Sequence, residues 1–177
     1  MRVRGCSVLV NINLKVRPVV GRLVKLREDP VIEEQQVKVR VIGRREDLSD
    51  GMNREIDLIE DKTKDHSRFL LNIALSYGGR AEIIDAVKRI ANELLEQRLS
   101  VDDVNEELMS QYLYTEGIPD PDLIIRTSGE ERLSGFLLWQ SAYSELYFTQ
   151  VYWPAFRRID VWRAIRTYQQ RERRYGR

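Results

Sequence analysis

The chain has 177 residues, with 29 Lys or Arg against 28 Asp or Glu and a formal net charge of +1. That length is enough for one domain with a genuine core, and the near-cancelled charge gives no reason to invoke a nucleic-acid or membrane partner. The single cysteine, Cys6, excludes an intramolecular disulfide framework and fits a reducing compartment; with no apolar run of about 18 residues and no clean signal-peptide core, the chain reads as cytoplasmic.

In chain order, Val8, Val10, Ile12 and Leu14 alternate with Leu9, Asn11, Asn13 and Lys15, a period-two pattern that predicts a strand broken by Arg17-Pro18. Charge is uneven here, since residues 1–27 hold seven Lys or Arg and no acid. Val37 to Gly43 alternates β-branched with basic residues and closes on glycine, which predicts a second strand. From Ser49 to about Asp65, Met52, Ile56 and Ile59 recur at helical spacing amid dense charge, so a mostly solvated helix is expected. His66 then falls in a charged KDHS context and reads as a structural or surface residue.

Phe69 to Leu75 is almost continuously apolar, as expected of a parallel strand covered on both faces. Tyr77-Gly78-Gly79-Arg80 follows, and a helix starting near Ala81 should bury Ile83, Ile84, Val87, Ile90, Leu94 and Leu95. The glycine pair either exposes backbone N–H groups to an anion or simply reverses the chain. Ser100 and Asp103 form a capping box for a helix through Val104, Leu108 and Tyr112, which Pro119 and Pro121 end.

Asp122-Leu123-Ile124-Ile125 predicts another buried strand, and the chain changes character at Arg126. Arg126, Thr127, Ser128, Gly129, Arg132, Ser134 and Gly135 fall within ten residues, placing two guanidinium forks, three hydroxyls and flexible backbone together. This inventory suits a phosphate or diphosphate: arginine gives bidentate charged hydrogen bonds, and glycine lets backbone N–H groups approach. A loop at the carboxyl end of a parallel strand is also where open α/β sheets bind ligands. A solvated turn with incidental surface arginines is the plain alternative.

Beyond it, Phe136 to Trp139, Ala142 and Tyr143 read as core. Glu145 then opens a buried strand where an unpaired charge would be costly, so it needs either an arginine partner or a metal. A last helix from Ile159-Asp160 should turn Trp162, Ile165 and Tyr168 inward and its arginines outward. Strands alternating with helices predict an α/β, three-layer domain with a mainly parallel sheet flanked by helices.

The stretch RTSGEERLSGFLLWQSAYSELYF resembles the C-terminal signature of the cis-prenyltransferases, the undecaprenyl diphosphate synthase family. VKVRVIG, LLNIALSYGGRAEI, VYWPAF and RERRYG extend the resemblance, in order, over about residues 37–176. It implies a transferase that condenses isopentenyl diphosphate with an allylic diphosphate such as farnesyl diphosphate, forming cis double bonds with Mg2+ as cofactor. It further implies a homodimer, with peripheral membrane contact only through a lipid product. Carried onto this chain, Arg126, Arg132, Leu133 and Ser134 would bind isopentenyl diphosphate, and Glu145 would be a metal ligand. Asn72, Gly78, Gly79, Arg80 and Gly135 would line the edge of the cleft. The terminal Arg174-Tyr175-Gly176 resembles the family tail that crosses the dimer interface.

Two departures from the family pattern stand out. Glu131 occupies a position where many members have histidine, and the family's Asp-Gly-Asn-x-Arg-Trp loop is absent, so no catalytic residue is assigned. Asp50-Gly51-Met52-Asn53-Arg54 is only superficially similar, because no strand delivers it and no tryptophan follows. Residues 1–36 therefore read as a divergent or truncated segment, and 37–177 as the C-terminal two thirds of the family domain, N-terminally incomplete. The expectation is an enzyme chain with little or no activity alone. A non-catalytic subunit of a heteromeric relative, or a basic nucleic-acid or anion-binding module, are the alternatives.

Overall fold

The computed structural model describes residues 6–11 and 19–170, with Cys6 and Asn11 by backbone alone. The Ile12 and Leu14 end of the first alternation, the Arg17-Pro18 break and the terminal Arg174-Tyr175-Gly176 lie outside the described residues. The chain divides into two compact units, 1–119 and 120–177. Every described strand pair is parallel, as expected of an α/β fold with helices flanking a mainly parallel sheet; three strands pair in the first unit and two in the second.

The first unit carries β1 (Cys6–Asn11), β2 (Val37–Ile42) and β3 (Phe69–Ala74) in the order β1-β3-β2. α1 (Val19–Glu28) and α2 (Pro30–Glu34) separate the first two strands, and α3 (Asp50–Lys62) the second and third. Alternation assigns the faces. Val39, Val41, Ile73 and Leu75 pack with Val19, Leu23, Ile32, Ile56 and Ile59 into the main core, as Met52, Ile56 and Ile59 were expected to do at helical spacing. Asp50 to Arg54 is the first turn of α3, capped by the Ser49 hydroxyl, and is a helix rather than a substrate loop.

β2 is an edge strand, and α3 covers its outward N–H groups. Val39 N–H donates to Thr63 Oγ1 at 3.0 Å and Val41 N–H to Glu60 Oε1 at 2.7 Å. Side chains thus stand in for the missing neighbour and blunt the edge. On the opposite face Arg40 donates to the carbonyls of Glu116 (2.7 Å) and Tyr114 (3.3 Å), tying the sheet to the segment after α5 (Glu106–Tyr112). His66 is structural, as expected: it is buried, its Nδ1 lies 3.0 Å from Val37 O and its Nε2 3.4 Å from Glu33.

α4 (Gly79–Leu95) corrects the predicted burial. Ile84, Val87 and Leu95 are exposed, whereas Glu82, Ala86 and Ile90 are buried. The reason is that Glu82 finds donors inside: the Tyr77 hydroxyl bonds Oε2, and Tyr114 N–H reaches Oε1 at 2.9 Å. A carboxylate with two donors is tolerated where an unpaired one is not. The Ser100–Asp103 capping box exists but caps only a 3-10 turn at Val101–Asp103; Asn105 caps α5 instead.

The second unit pairs β4 (Leu123–Arg126) with β5 (Glu145–Phe148) and ends in α6 (Arg158–Gln170). Its aromatic residues depart from the expected core. Tyr143 is 89% exposed and Trp162 60%, while Leu137, Asp160 and Ala164 are buried. Asp160 turns inward because it accepts from Arg157 N–H (3.0 Å) and pairs with Arg163 (3.1 Å), closing the first turn of α6.

Candidate functional site

The arginine loop leaves the carboxyl end of β4, and its shape follows from how it is clasped. Thr149 N–H donates to Arg126 O (2.9 Å), Gly129 N–H to Thr149 O (2.9 Å) and Ser128 N–H to Val151 O (3.0 Å). The turn between them needs left-handed backbone, with Ser128 at φ 70° and Gly129 at φ 71°. At Gly129 the positive φ favours glycine, and a Cβ would also stand 2.3 Å from Gln150 Oε1, so that exposed side chain would have to move aside. This revises the role read for the glycine: its N–H is spent on the clasp, so Gly129 shapes the loop rather than offering a backbone donor to an anion.

The second half repeats the device. Ser134, Gly135 and Leu137 have φ of 51°, 79° and 48°. Phe136 N–H closes on Leu133 O at 3.0 Å, and buried Leu137 anchors the turn, whose far end returns through Ser144 Oγ to Pro121 O at 2.6 Å. Non-glycine residues held in left-handed backbone cluster where the fold fixes them for a purpose.

Arg126 is the half-buried last residue of β4, and its Nε is buried with no hydrogen-bond partner among the described residues. A cationic N–H withdrawn from water without an acceptor is costly, so the position is suited to an incoming anion. Arg132 is 69% exposed and pairs with Glu130. Such a surface pair is worth only about 0–1 kcal/mol, so Arg132 can exchange Glu130 for a more highly charged ligand. Leu133 is half-buried, Ser134 and Glu131 are exposed, and Gly135 is half-buried. The structure thus places Arg126, Arg132, Leu133, Ser134 and Gly135 on one clasped loop.

Glu145 opens β5 and its N–H donates to Asp122 O at 3.0 Å. In the register of the pair Glu145 lies opposite Leu123, and Phe148 opposite Arg126. Glu145 and Arg126 therefore mark opposite ends of the two-stranded sheet, separated by three residues or about 10 Å along the strands. Among the described residues no three His, Cys, Asp or Glu side chains converge as a metal site. One carboxylate fits Mg2+ only as a single ligand, with phosphate oxygens and water completing the octahedron.

In the first unit the cleft-edge candidates take different positions. Asn72 is fully buried on β3, its Nδ2 donating to Ser7 Oγ at 3.1 Å while its Oδ1 has no partner among the described residues. Gly78 caps α4 with extended backbone, Gly79 is buried, and Arg80 is exposed. Around them is a network that the sequence reading missed. Arg44 grips Asp85 with two 2.8 Å hydrogen bonds, the Tyr114 hydroxyl bonds the same carboxylate, and Tyr114 meets Tyr77 edge-on at 6.2 Å. Its one signal was a pair of acids, Glu82 and Asp85, one turn apart amid apolar residues.

The fold is that of an α/β chain with a clasped arginine loop at the carboxyl end of a parallel strand, and comparison with known proteins narrows this class. A family model described as "Putative undecaprenyl diphosphate synthase" matches residues 15–176, and the chain belongs to that family. The isoprenyl transferase of Thermus thermophilus is 57% identical over 157 residues, covering 86% of this chain and 60% of that protein. The tritrans,polycis-undecaprenyl-diphosphate synthase (geranylgeranyl-diphosphate specific) of Thermoplasma acidophilum is 50% identical over 152 residues, covering 86% of this chain and 59% of that one. This chain thus spans about 60% of the length of these curated relatives. Among solved structures, lavandulyl diphosphate synthase from Lavandula x intermedia in complex with dimethylallyl diphosphate superposes with a TM-score of 0.88 at 27% identity, covering 99% of this chain and 80% of that one. A probable undecaprenyl diphosphate synthase from Campylobacter jejuni gives 0.80 at 33% identity, covering 97% and 84%.

Proposed function

We propose that the arginine loop is the isopentenyl diphosphate site of a cis-prenyl chain-elongating transferase, in which an allylic diphosphate such as farnesyl diphosphate is the second substrate. The observation that carries this reading is the buried Nε of Arg126, without a partner among the described residues, at the carboxyl end of a parallel strand. Arg126 would hold the diphosphate of the incoming unit from a fixed position, because its backbone is locked to Thr149. Arg132 would release Glu130 and close from the exposed side, with Ser134 adding a hydroxyl donor. Leu133 and Gly135 would set the width of the turn.

The work of these side chains is to bind and orient: a diphosphate fixed at one end aims the hydrocarbon end at its reaction partner, which converts an encounter into a positioned step. Glu145 would give Mg2+ one carboxylate oxygen, and the ion would supply charge neutralisation for a departing diphosphate. Asn72, Gly78, Gly79 and Arg80 would act at the edge of the cleft.

We further read the chain as cytoplasmic and as a homodimer, the latter supported by the exposed aromatic residues Tyr143, Tyr152, Trp153 and Trp162 of the second unit. Among the described residues no helix is long and apolar enough to cross a membrane.

The test is calorimetric titration of isopentenyl diphosphate into the full chain with Mg2+, beside Arg126→Ala. Binding should fall by about 100-fold in the variant, the scale of a lost charge-assisted bidentate contact. Equal binding by both proteins would refute the assignment. The same samples, given farnesyl diphosphate, should form little or no polyprenyl product, since no Asp-Gly-Asn-x-Arg-Trp stretch occurs in the 177 residues.

A further inference from the structure

Gln150 lies two residues beyond β5, within the clasp that holds the arginine loop. Its neighbours Thr149 and Val151 accept from Gly129 and Ser128, so the backbone at 150 runs alongside the turn. The side chain then folds over Gly129: the Cβ position of that glycine is 2.3 Å from Gln150 Oε1 and 3.4 Å from Nε2. The carboxamide occupies the space of the absent side chain, which lies midway in sequence between Arg126 and Arg132.

Two observations separate Gln150 from a packing residue. It is exposed, and its carboxamide makes no hydrogen bond among the described residues. A carboxamide lying over Gly129 with its N–H groups unspent is instead a donor available on the same loop as the Arg126 Nε that has no partner among the described residues.

We propose that Gln150 is a further diphosphate-binding residue, its carboxamide N–H joining Arg126 and Arg132 in holding the anion. This rests on the reading of the loop as an isopentenyl diphosphate site. Gln150 contributes direction without further positive charge, and Gly129, whose backbone angle favours glycine, leaves the space above it open to the carboxamide.

The test titrates isopentenyl diphosphate into the full chain as wild type, Arg126→Ala, Gln150→Leu and Gln150→Glu, with a thermal melt of each. Leucine keeps bulk over Gly129 and loses the donor, so binding should weaken by about tenfold. Glutamate turns a carboxylate toward the ligand, and should weaken binding further and more steeply at low salt. Melting temperatures should stay at the wild-type value. If both Gln150 variants bind like wild type while Arg126→Ala does not, the loop reading stands and the role of Gln150 falls. If wild type itself does not bind, both fall. Weakened binding that tracks a lowered melting temperature would assign Gln150 to packing and overturn the proposal.

Discussion

Arg44, Asp85 and Tyr114 meet where β2 ends and α4 begins, and their protonation states record the meeting. The Arg44 hydrogen bonds, and then the Tyr114 hydroxyl, hold the Asp85 carboxyl down to about 2. Burial first, and then Asp85, pushes the Tyr114 phenol up to about 12. Because the folded value of Asp85 lies below its ordinary 3.8, its contribution to stability is complete above that pH and is lost as the pH falls through about 2. Tyr114 is shifted upward, so its contribution is complete below 10.0 and is lost as the pH rises through about 12. Urea midpoints measured against pH should therefore decline at both extremes. Asp85→Asn should flatten the acid limb, and Tyr114→Phe the alkaline one. An unchanged acid limb in Asp85→Asn would mean that the pair carries no net stability. Beyond the two acids Glu82 and Asp85 one turn apart, little of this was legible in the sequence, because Arg44, Asp85 and Tyr114 are far apart in the chain and each reads alone as a surface charge or an aromatic.

At the scale of elements, the strands were more legible than the helix faces, for a physical reason. A strand buried on both sides has few alternatives, and the prediction for Phe69 to Leu75 differs from β3 by one residue. A helix face depends on what lies opposite. Glu82 is buried because Tyr77 and Tyr114 supply donors, and Trp162 is exposed although its spacing with Ile165 and Tyr168 suggested a core stripe. In the arginine loop, Arg126 and Arg132 were legible by residue type. The clasp through residues 149–151 was not, since backbone pairing across some twenty residues leaves no mark in composition. Two substitutions test the elements themselves. Gly43 sits at φ 120° where β2 ends, and a Cβ there would stand 2.0 Å from Leu75 O. Gly43→Ala should cost about 2–4 kcal/mol in denaturant unfolding, because both backbone strain and the close approach of β3 act against it. Thr63→Val removes the acceptor of Val39 N–H and the donor to Ile59 O from a fully buried position, and should cost about 1–3 kcal/mol. A stability within 0.5 kcal/mol of wild type, roughly the range of a neutral surface change, would show that the α3 cover on the β2 edge is dispensable.

For the whole molecule, family membership came from ordered motifs and the class of fold from alternation, while the division into two units was invisible in composition. The exposed aromatic residues of the second unit are the feature on which assembly should depend. If a second copy covers them, Trp162→Asp should shift sedimentation from dimer to monomer while leaving the far-ultraviolet circular dichroism unchanged. A wild-type chain that sediments as a monomer at tens of micromolar, well above the affinities typical of a stable homodimer, would remove that reading.

The strand order β1-β3-β2 also bears on how the chain emerges during synthesis. β1 and β2 have no pairing with each other; each waits for β3. A ribosome that has released the chain only as far as residue 68 has exposed two Val-containing segments without the strand that unites them. Arg40 waits longer still, for carbonyls 74 and 76 positions downstream. Translation therefore runs through a long interval in which holding partners are of most use and a pause is most hazardous. The sheet of the first unit can close only when its middle arrives last.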